Sequence, residues 1–213
     1  MFPSAYAITL CSGREAHPCA NTDQDGMFHI LGVPGDLFML LNEGVFLAAQ
    51  TSPALLIDDL EARIQSWEPP SRPEPLASKE AVVADDFLHA CRAWKSAILI
   101  YIHRIFRDTK SCNAGLQTLV RECITSIASV ITKDIRKQLV WCLFVAGSEI
   151  VVDEMKEFVL RIIRQIERDI ECHFVKDAGE QMKRTWQMRE ANQGQISWKD
   201  ALVTQDGDYY LFG

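Results

Sequence analysis

Apolar residues recur every three or four positions through most of this chain, the spacing that places them on one face of an α-helix. Such stretches predict helices over six ranges, which are 34–50, 53–67, 79–107, 116–131, 153–170 and 177–190. A further stretch, Leu139–Ala146, is apolar on every side, as expected of a short helix that is buried all round. No stretch alternates with the period of two that a half-buried strand requires. The sequence therefore predicts an all-α protein, a single irregular helical bundle of roughly seven helices.

The stretch 138–170 is the expected packing centre of this bundle. Gly147 follows the buried helix and allows either a bend or the close approach of another backbone. Glu149 then places a carboxylate beside an apolar wall, where it needs a partner because an unpaired buried charge is very unfavourable. Asp153 is expected to cap the next helix, whose apolar stripe runs from Met155 to Ile170 at three-four spacing.

The chain is predicted to form one helical domain with a less regular start. Residues 1–31 show no sustained period and are expected to be loosely ordered, whereas 32–213 form the domain. Four prolines interrupt regular structure in the segment 67–78, which predicts an exposed connector inside the domain. The tail 197–213 closes on aromatic residues that we expect to dock on the body.

Composition narrows the classes of function. The chain has 213 residues, 48% of them hydrophobic, which is enough to bury a core as one domain. The formal net charge of -7 argues against a nucleic-acid surface, since binding to phosphates needs clustered Lys and Arg. No apolar run approaches the ~18 residues that span a bilayer, and the start lacks the basic region of a signal peptide. An intracellular protein is expected, and its seven cysteines, with no C-x-x-C, are expected to be free and mostly buried thiols.

Candidate catalytic and metal motifs are incomplete. The acidic pairs Asp58–Asp59 and Asp85–Asp86 both lack the fifth-position Asp of the magnesium-binding D-D-x-x-D motif, so solvated acids near a helix start are expected instead. No two histidines have the spacing of a helical metal site. The segment 21–26 reads like the start of a calcium loop, but its twelfth position is Gly32, so it predicts a turn. We predict no catalytic residue, no metal ligand and no cofactor.

Four aromatic residues and one acid are the candidates for a functional site. Trp94, Tyr101, Trp141 and Trp186 lie in helical stretches, where they either line a small-molecule effector pocket or form ordinary core. Glu149 joins this set because its carboxylate is expected to lie against the same apolar interior. The sequence leaves both interpretations open for all five residues and does not name an effector.

Several motifs, taken in order, resemble the fungal-specific transcription factor domain, the all-helical region that follows the zinc-cluster DNA-binding module in many fungal regulators. The motifs are G-V-P-G-D-L-F-M-L-L at 32–41, W-K-S-A-I-L-I-Y-I-H-R-I-F at 94–106, W-C-L-F-V-A-G-S-E at 141–149, and T-W-Q-M-R at 185–189 followed by I-S-W-K-D-A-L at 196–202. Two positions depart from the family pattern. Cys142 replaces a proline, and Lys156 replaces an arginine, which implies a less favourable ion pair with Glu149 than a bidentate arginine would make.

The resemblance implies a transcription-regulatory domain that binds a protein partner such as a DNA-binding subunit or coregulator. It implies a location in the nucleus and leaves the cytoplasm open as a second location. The family's six-cysteine zinc cluster is not found in this sequence, since Cys11 and Cys19 have no partners at the required spacing. We therefore expect no direct contact with nucleic acid and no membrane association. An all-α enzyme with an unrecognised site, a small-molecule-binding protein and a ligand-free helical scaffold remain alternatives. Pathway, regulatory sign and oligomeric state are not specified by the sequence.

Overall fold

Helices account for nearly all of the chain that the computed structural model describes, namely residues 33–48, 54–69, 78–169 and 173–192. Eight helices and no β-strand occur in these ranges, which confirms the all-α prediction. They are α1 (Gly35–Ala48), α2 (Ala54–Ser66), α3 (Ser78–Phe106), α4 (Ala114–Ser129), α5 (Lys133–Gln138), α6 (Val140–Ser148), α7 (Asp153–Asp169) and α8 (His173–Ala191). The predicted N-terminal segment 1–31, most of the proline-rich connector and the aromatic tail lie outside the described residues.

Helix α3 is the longest and organises the bundle. It packs most extensively against α4 and also contacts α1, α2, α5 and α6. Its buried positions include Phe87, Cys91, Trp94, Ile98 and Ile102, which follow the three-four spacing of the sequence pattern. None of the described helices is both long and apolar enough to cross a bilayer.

Helix α6 lies at the centre, as its apolar sequence predicts. All of its residues except Trp141 are buried, and it contacts α3, α4, α5, α7 and α8. Gly147 permits close packing here, because a Cβ atom at this position would lie 2.3 Å from Sδ of Met182 on α8. The structure shows the side chains of Met182 and Val159 packed closely against this glycine, rather than another backbone.

Helices α1 and α2 form a hairpin at one side of α3. A bidentate ion pair at 2.8 Å joins the Arg63 guanidinium to both carboxylate oxygens of Glu43. Gly44, which weakens the sequence prediction for α1, lies within a continuous helix and faces Leu60 of α2. Packing of α1 on α2 therefore outweighs the low helix propensity of glycine at this position, although a Cβ atom would make only an ordinary contact with Leu60.

Two helical segments differ from the prediction. Helix α5 is not predicted because its sequence is polar, and Ile135 is its only buried residue, too little for a periodic signal. Helix α8 begins at His173 rather than at 177. Val175 and Ala178 are buried and extend the apolar stripe of Met182 toward the start of the helix, which accounts for the extra turn.

The sequence predicts solvent exposure for both acids of the Asp85–Asp86 pair, and this prediction is wrong for Asp86. Its side chain is buried two turns into α3, and its two carboxylate oxygens accept hydrogen bonds from the backbone N–H groups of Ile131 and Thr132, at 2.9 and 2.7 Å. Asp86 thus satisfies backbone donors in the turn between α4 and α5, while Asp85 is exposed.

Candidate functional site

A completely buried carboxylate at the end of α6 is bonded to side chains from three other parts of the bundle. Glu149 is completely buried and accepts a hydrogen bond at 3.0 Å from Nε of Arg104 on α3. Its second oxygen accepts bonds from Ser111 Oγ at 2.5 Å and from NH2 of Arg189 on α8 at 3.3 Å. We call Arg104, Ser111, Glu149 and Arg189 the Glu149 network. Two guanidinium groups and a hydroxyl satisfy this carboxylate, as a buried charge requires.

The Glu149 network also fixes the turn between α3 and α4. Within this turn, Asp108 has a φ of 43°, and the backbone N–H of Thr109 returns to the carbonyl of His103 at 3.1 Å. Arg104 donates a short hydrogen bond to the Thr109 carbonyl. Gln117 Nε2 bridges the carbonyl oxygens of Ser111 and Glu149, at 2.6 and 2.8 Å. The end of α3, the turn, the start of α4 and the end of α6 are thereby joined by polar contacts.

Helix α8 closes the other side of the Glu149 network. Arg189 NH1 donates to the carbonyl of Ser148 at 2.8 Å, and Trp186 Nε1 donates to the carbonyl of Gly147 at 2.9 Å. Carbonyl groups at the end of α6, which lack partners within the helix, are thus satisfied by side chains of α8. Burial lowers the pKa of Arg189; Glu149 opposes this effect and the neighbouring Arg104 adds to it.

The partner expected for Glu149 from the family pattern is not the one observed. Lys156 makes no ion pair with Glu149 and instead pairs with Asp153 and Glu190, at 2.9 and 2.8 Å. Arg104 is an arginine that pairs with Glu149. It is the last residue of the Y-I-H-R sequence within the 94–106 motif. Sequence reasoning missed Arg104 and Arg189 because nothing in the spacing relates residues so far apart, although both arginines lie inside motifs that it identified.

Three of the candidate aromatic residues form a cluster between α3 and α6. The Trp94 and Trp141 rings stack with centroids 5.1 Å apart and an interplanar angle of 13°. Tyr101, one heptad after Trp94, lies with its ring centroid 6.3 Å from that of Trp141. Burial raises the pKa of Tyr101. Trp94, Tyr101 and Trp141 are called the aromatic cluster below.

The indole N–H of Trp94 is a buried donor without an acceptor among the described residues. Trp141 and Tyr101 are each partly exposed, so the aromatic cluster extends from the core toward the surface. Trp186 is not part of this cluster, since it contacts the end of α6 and has Nζ of Lys156 5.8 Å from its ring centroid. The five predicted site residues therefore divide into two groups, the aromatic cluster and the Glu149–Trp186 side of α6.

The acidic pairs considered for a metal-dependent enzyme do not come together. Asp58 pairs with Arg107 at 2.7 Å just beyond the end of α3, and Asp59 approaches Arg63 at 3.5 Å. Asp86 lies near the start of α3. At a rise of ~1.5 Å per helical residue, it is about 30 Å from Arg107, the residue that pairs with Asp58. In the described part of the chain, no group of three or more His, Cys, Asp or Glu residues is placed to hold a metal ion.

The sequence profile of one protein family, described as the fungal specific transcription factor domain, matches residues 17–213. The chain belongs to this family. No curated protein and no solved structure matches it significantly. The match confirms the resemblance drawn from the four motifs, and three of the motifs now have a structural role in this fungal-specific transcription factor domain. The 94–106 motif supplies Arg104, the 141–149 motif supplies Glu149, and the 185–189 motif supplies Arg189.

Proposed function

We propose that this protein is a transcription-regulatory domain that acts in the nucleus by binding a protein partner and carries out no reaction. Family membership over residues 17–213 is the observation that carries the proposal. The net charge of -7 favours contact with DNA through a partner, or through a DNA-binding segment joined to the domain, over contact by its own surface. A six-cysteine cluster with a basic linker encoded upstream of Met1 would identify the joined arrangement.

The Glu149 network is the element through which we propose that binding is communicated. It joins α3, the turn that follows, α6 and α8, so a shift of any one helix changes the contacts of the same carboxylate. Separating a buried ion pair leaves charges without partners, which disfavours intermediate positions and favours discrete arrangements. A partner that binds one arrangement more tightly shifts the population toward it.

An exposed apolar face on α1 and α2 supports partner binding. Met39 and Phe46 lie one heptad apart on α1 and are 65% and 63% exposed, and Leu55 at the start of α2 is 79% exposed. Both α1 residues lie on the side of the helix opposite its buried positions. Clusters of large apolar side chains in water are typical of protein-binding surfaces. We assign this face to the DNA-binding subunit or coregulator.

A reporter assay in a fungal host tests the proposal. The full chain is fused to a heterologous DNA-binding domain upstream of a reporter with measurable basal transcription, so that activation and repression are both detected. We expect the fusion to change reporter output relative to the DNA-binding domain alone. Unchanged output at equal protein level, together with affinity capture that recovers only metabolic enzymes, would contradict a regulatory function.

Paired variants in the same assay test the assigned face. Met39→Gln with Phe46→Gln is expected to return the output toward the level of the DNA-binding domain alone, because the apolar contact area is lost. Ile131→Gln is the matched control, since Ile131 is 68% exposed but lies outside α1 and α2. Equal effects of both changes would indicate that the α1–α2 face is not the binding surface.

The unpaired indole N–H favours a second role, effector binding at the aromatic cluster. We propose that a small molecule with an aromatic or flat apolar body stacks against Trp141 and presents an acceptor to Nε1 of Trp94. Glu149 and Trp186 are already bonded to protein groups, so we assign them to communication between helices.

Thermal-shift screening against metabolites distinguishes an effector-binding domain from a ligand-free scaffold. A ligand at a hundred times its Kd adds about 2.7 kcal/mol to the free energy of unfolding. We expect a hit to lose its effect in Trp141→Leu and to keep it in Trp186→Phe, because Trp186 contacts the end of α6 and is not part of the aromatic cluster. A hit that is insensitive to Trp141→Leu would place the effector elsewhere.

A further inference from the structure

A groove between α3 and α4 is lined by arginine side chains without ion pairs and by hydroxyl groups without protein partners among the described residues. It has a volume of about 490 Å³, and its lining includes His89 and Arg92 from α3. Helix α4 contributes Arg121, Glu122, Thr125 and Ser126. None of the predicted site residues lines it, so it is a separate feature from the aromatic cluster and the Glu149 network.

The two arginines of this groove make no ion pair with any described residue, in contrast to three other arginines of the bundle. Arg63, Arg104 and Arg107 each contact a carboxylate. Arg92 and Arg121 are exposed and contact none, although Glu122 lines the same groove. Among the lining Arg and Glu residues, two guanidinium groups and one carboxylate leave a local charge excess of one positive unit in a chain whose overall net charge is negative.

Hydroxyl groups on α4 distinguish the groove from a simple cationic surface. Thr118 and Ser129 donate to the backbone carbonyl four residues earlier, at 3.0 Å in each case, as serine and threonine in helices commonly do. The hydroxyl groups of Thr125 and Ser126 make no such bond in the described structure. Ser126 is only 6% exposed. A hydroxyl group that borders a groove and bonds to no protein group is available to donate to a bound group that supplies an acceptor.

We propose that this groove binds a small anion carrying a carboxylate or phosphate group. The guanidinium groups of Arg92 and Arg121 hold the anion through charge-assisted hydrogen bonds, with Thr125 and Ser126 as hydroxyl donors. Because one arginine belongs to α3 and the other to α4, the anion links the two most extensively packed helices. The proposed anion site does not rest on the proposed regulatory function, because the groups that line it are complementary to an anion whatever the domain regulates.

Thermal unfolding of the full chain in matched-ionic-strength buffers tests the proposal, with inorganic phosphate and citrate as probes and sodium chloride as the reference. We expect a saturable rise in Tm of about 2–4 °C over chloride when a probe reaches several times its Kd. The probe that saturates at the lower concentration identifies the preferred group. Equal behaviour of both probes and chloride at all concentrations would overturn the proposal.

Three variants separate specific binding from the general stabilising effect of phosphate and citrate on proteins. Arg92→Gln with Arg121→Gln is expected to abolish the saturable part of the Tm rise, and Ser126→Ala to shift its midpoint to higher concentration. Arg161→Gln with Arg164→Gln is the matched control, because these exposed arginines on α7 also lack ion pairs but have no convergent hydroxyl groups. A saturable rise that survives in the first variant, or is lost equally in the control, would refute the site.

Discussion

At the scale of single residues, Glu149 is the position where the smallest change should have the largest effect. Glu149→Gln keeps the shape of the side chain and an acceptor for Ser111 but removes the negative charge between Arg104 and Arg189. Two guanidinium groups then remain buried without a counter-ion. We expect the free energy of unfolding to fall by about 3–5 kcal/mol, as measured by urea denaturation followed by circular dichroism.

Glu43→Gln is the matched control for that measurement. It removes a carboxylate from the ion pair between Glu43 and Arg63, which has similar distances but lies in water. Exposed pairs contribute only about 0–1 kcal/mol, so its effect should lie in that range. Equal losses in the two variants would mean that burial does not determine the importance of the Glu149 network.

Two buried glycines in helices should respond to alanine in opposite directions. At Gly147 the new Cβ would lie 2.3 Å from Sδ of Met182, so Gly147→Ala should lower the free energy of unfolding by about 1–3 kcal/mol through overpacking. At Gly44 the nearest atom is 3.5 Å away, an ordinary contact with Leu60. Gly44→Ala should therefore raise stability by about 0.5–1 kcal/mol through helix propensity. Urea denaturation reads out both, and the same sign for both variants would contradict the packing argument.

At the scale of elements, substitution of Asp86 tests how much its side chain on α3 stabilises the turn between α4 and α5. Asp86→Asn replaces one of the two acceptor oxygens with an amide NH2 group, which only donates, so the N–H of Ile131 or of Thr132 loses its partner. We expect a loss of about 1–3 kcal/mol in urea denaturation. Asp85→Asn, one residue earlier and exposed, should change stability by less than about 0.5 kcal/mol. A comparable loss in Asp85→Asn would indicate a general charge effect at this end of α3.

Elements with a strong apolar pattern could be predicted from the sequence, and the exceptions have a physical cause. Helix α7 carries Val159, Ile162, Ile163 and Ile166 at regular spacing, and all four are buried as that spacing requires. Helix α5 has one buried side chain, Ile135, and is held instead by ion pairs such as Lys133 to Asp169 at 2.6 Å. Contacts of this kind join residues distant in sequence, so a local pattern cannot reveal them.

The same limit applies to the candidate site. The sequence requires a partner for Glu149 because a carboxylate beside an apolar helix is unfavourable alone. It does not identify that partner, since Arg104 lies 45 positions before Glu149 and Arg189 lies 40 positions after it. Trp94 and Tyr101 are related by a heptad on one helix, but the stacking of Trp141 on Trp94 depends on how α6 crosses α3.

At the scale of the whole molecule, the rates at which the cysteine thiols are modified show which parts of the bundle become accessible only on unfolding. Burial raises the pKa of Cys123 and of Cys142, so both thiols are protonated and inaccessible in the native state, whereas Cys112 is exposed. We expect iodoacetamide at pH 8 to modify Cys112 rapidly and Cys123 and Cys142 only after unfolding, as read by peptide mass mapping. Rapid modification of Cys142 in the folded chain would show that α6 is not held in the core.

Hydrogen exchange of the full chain, followed by mass spectrometry, tests whether the Glu149 network organises the bundle as a whole. Slow exchange is expected in α6 and in the middle of α3, because both are surrounded by other helices, and faster exchange in α5. Glu149→Gln should accelerate exchange most in α6, in the 107–113 turn and in the last turns of α8, the segments that its carboxylate joins. Helix α1 packs mainly on α2 and α3 and contributes no residue to this network, so its exchange should change little. A uniform acceleration that includes α1 would mean that Glu149 affects only global stability, and communication between helices through this carboxylate would then lose its support.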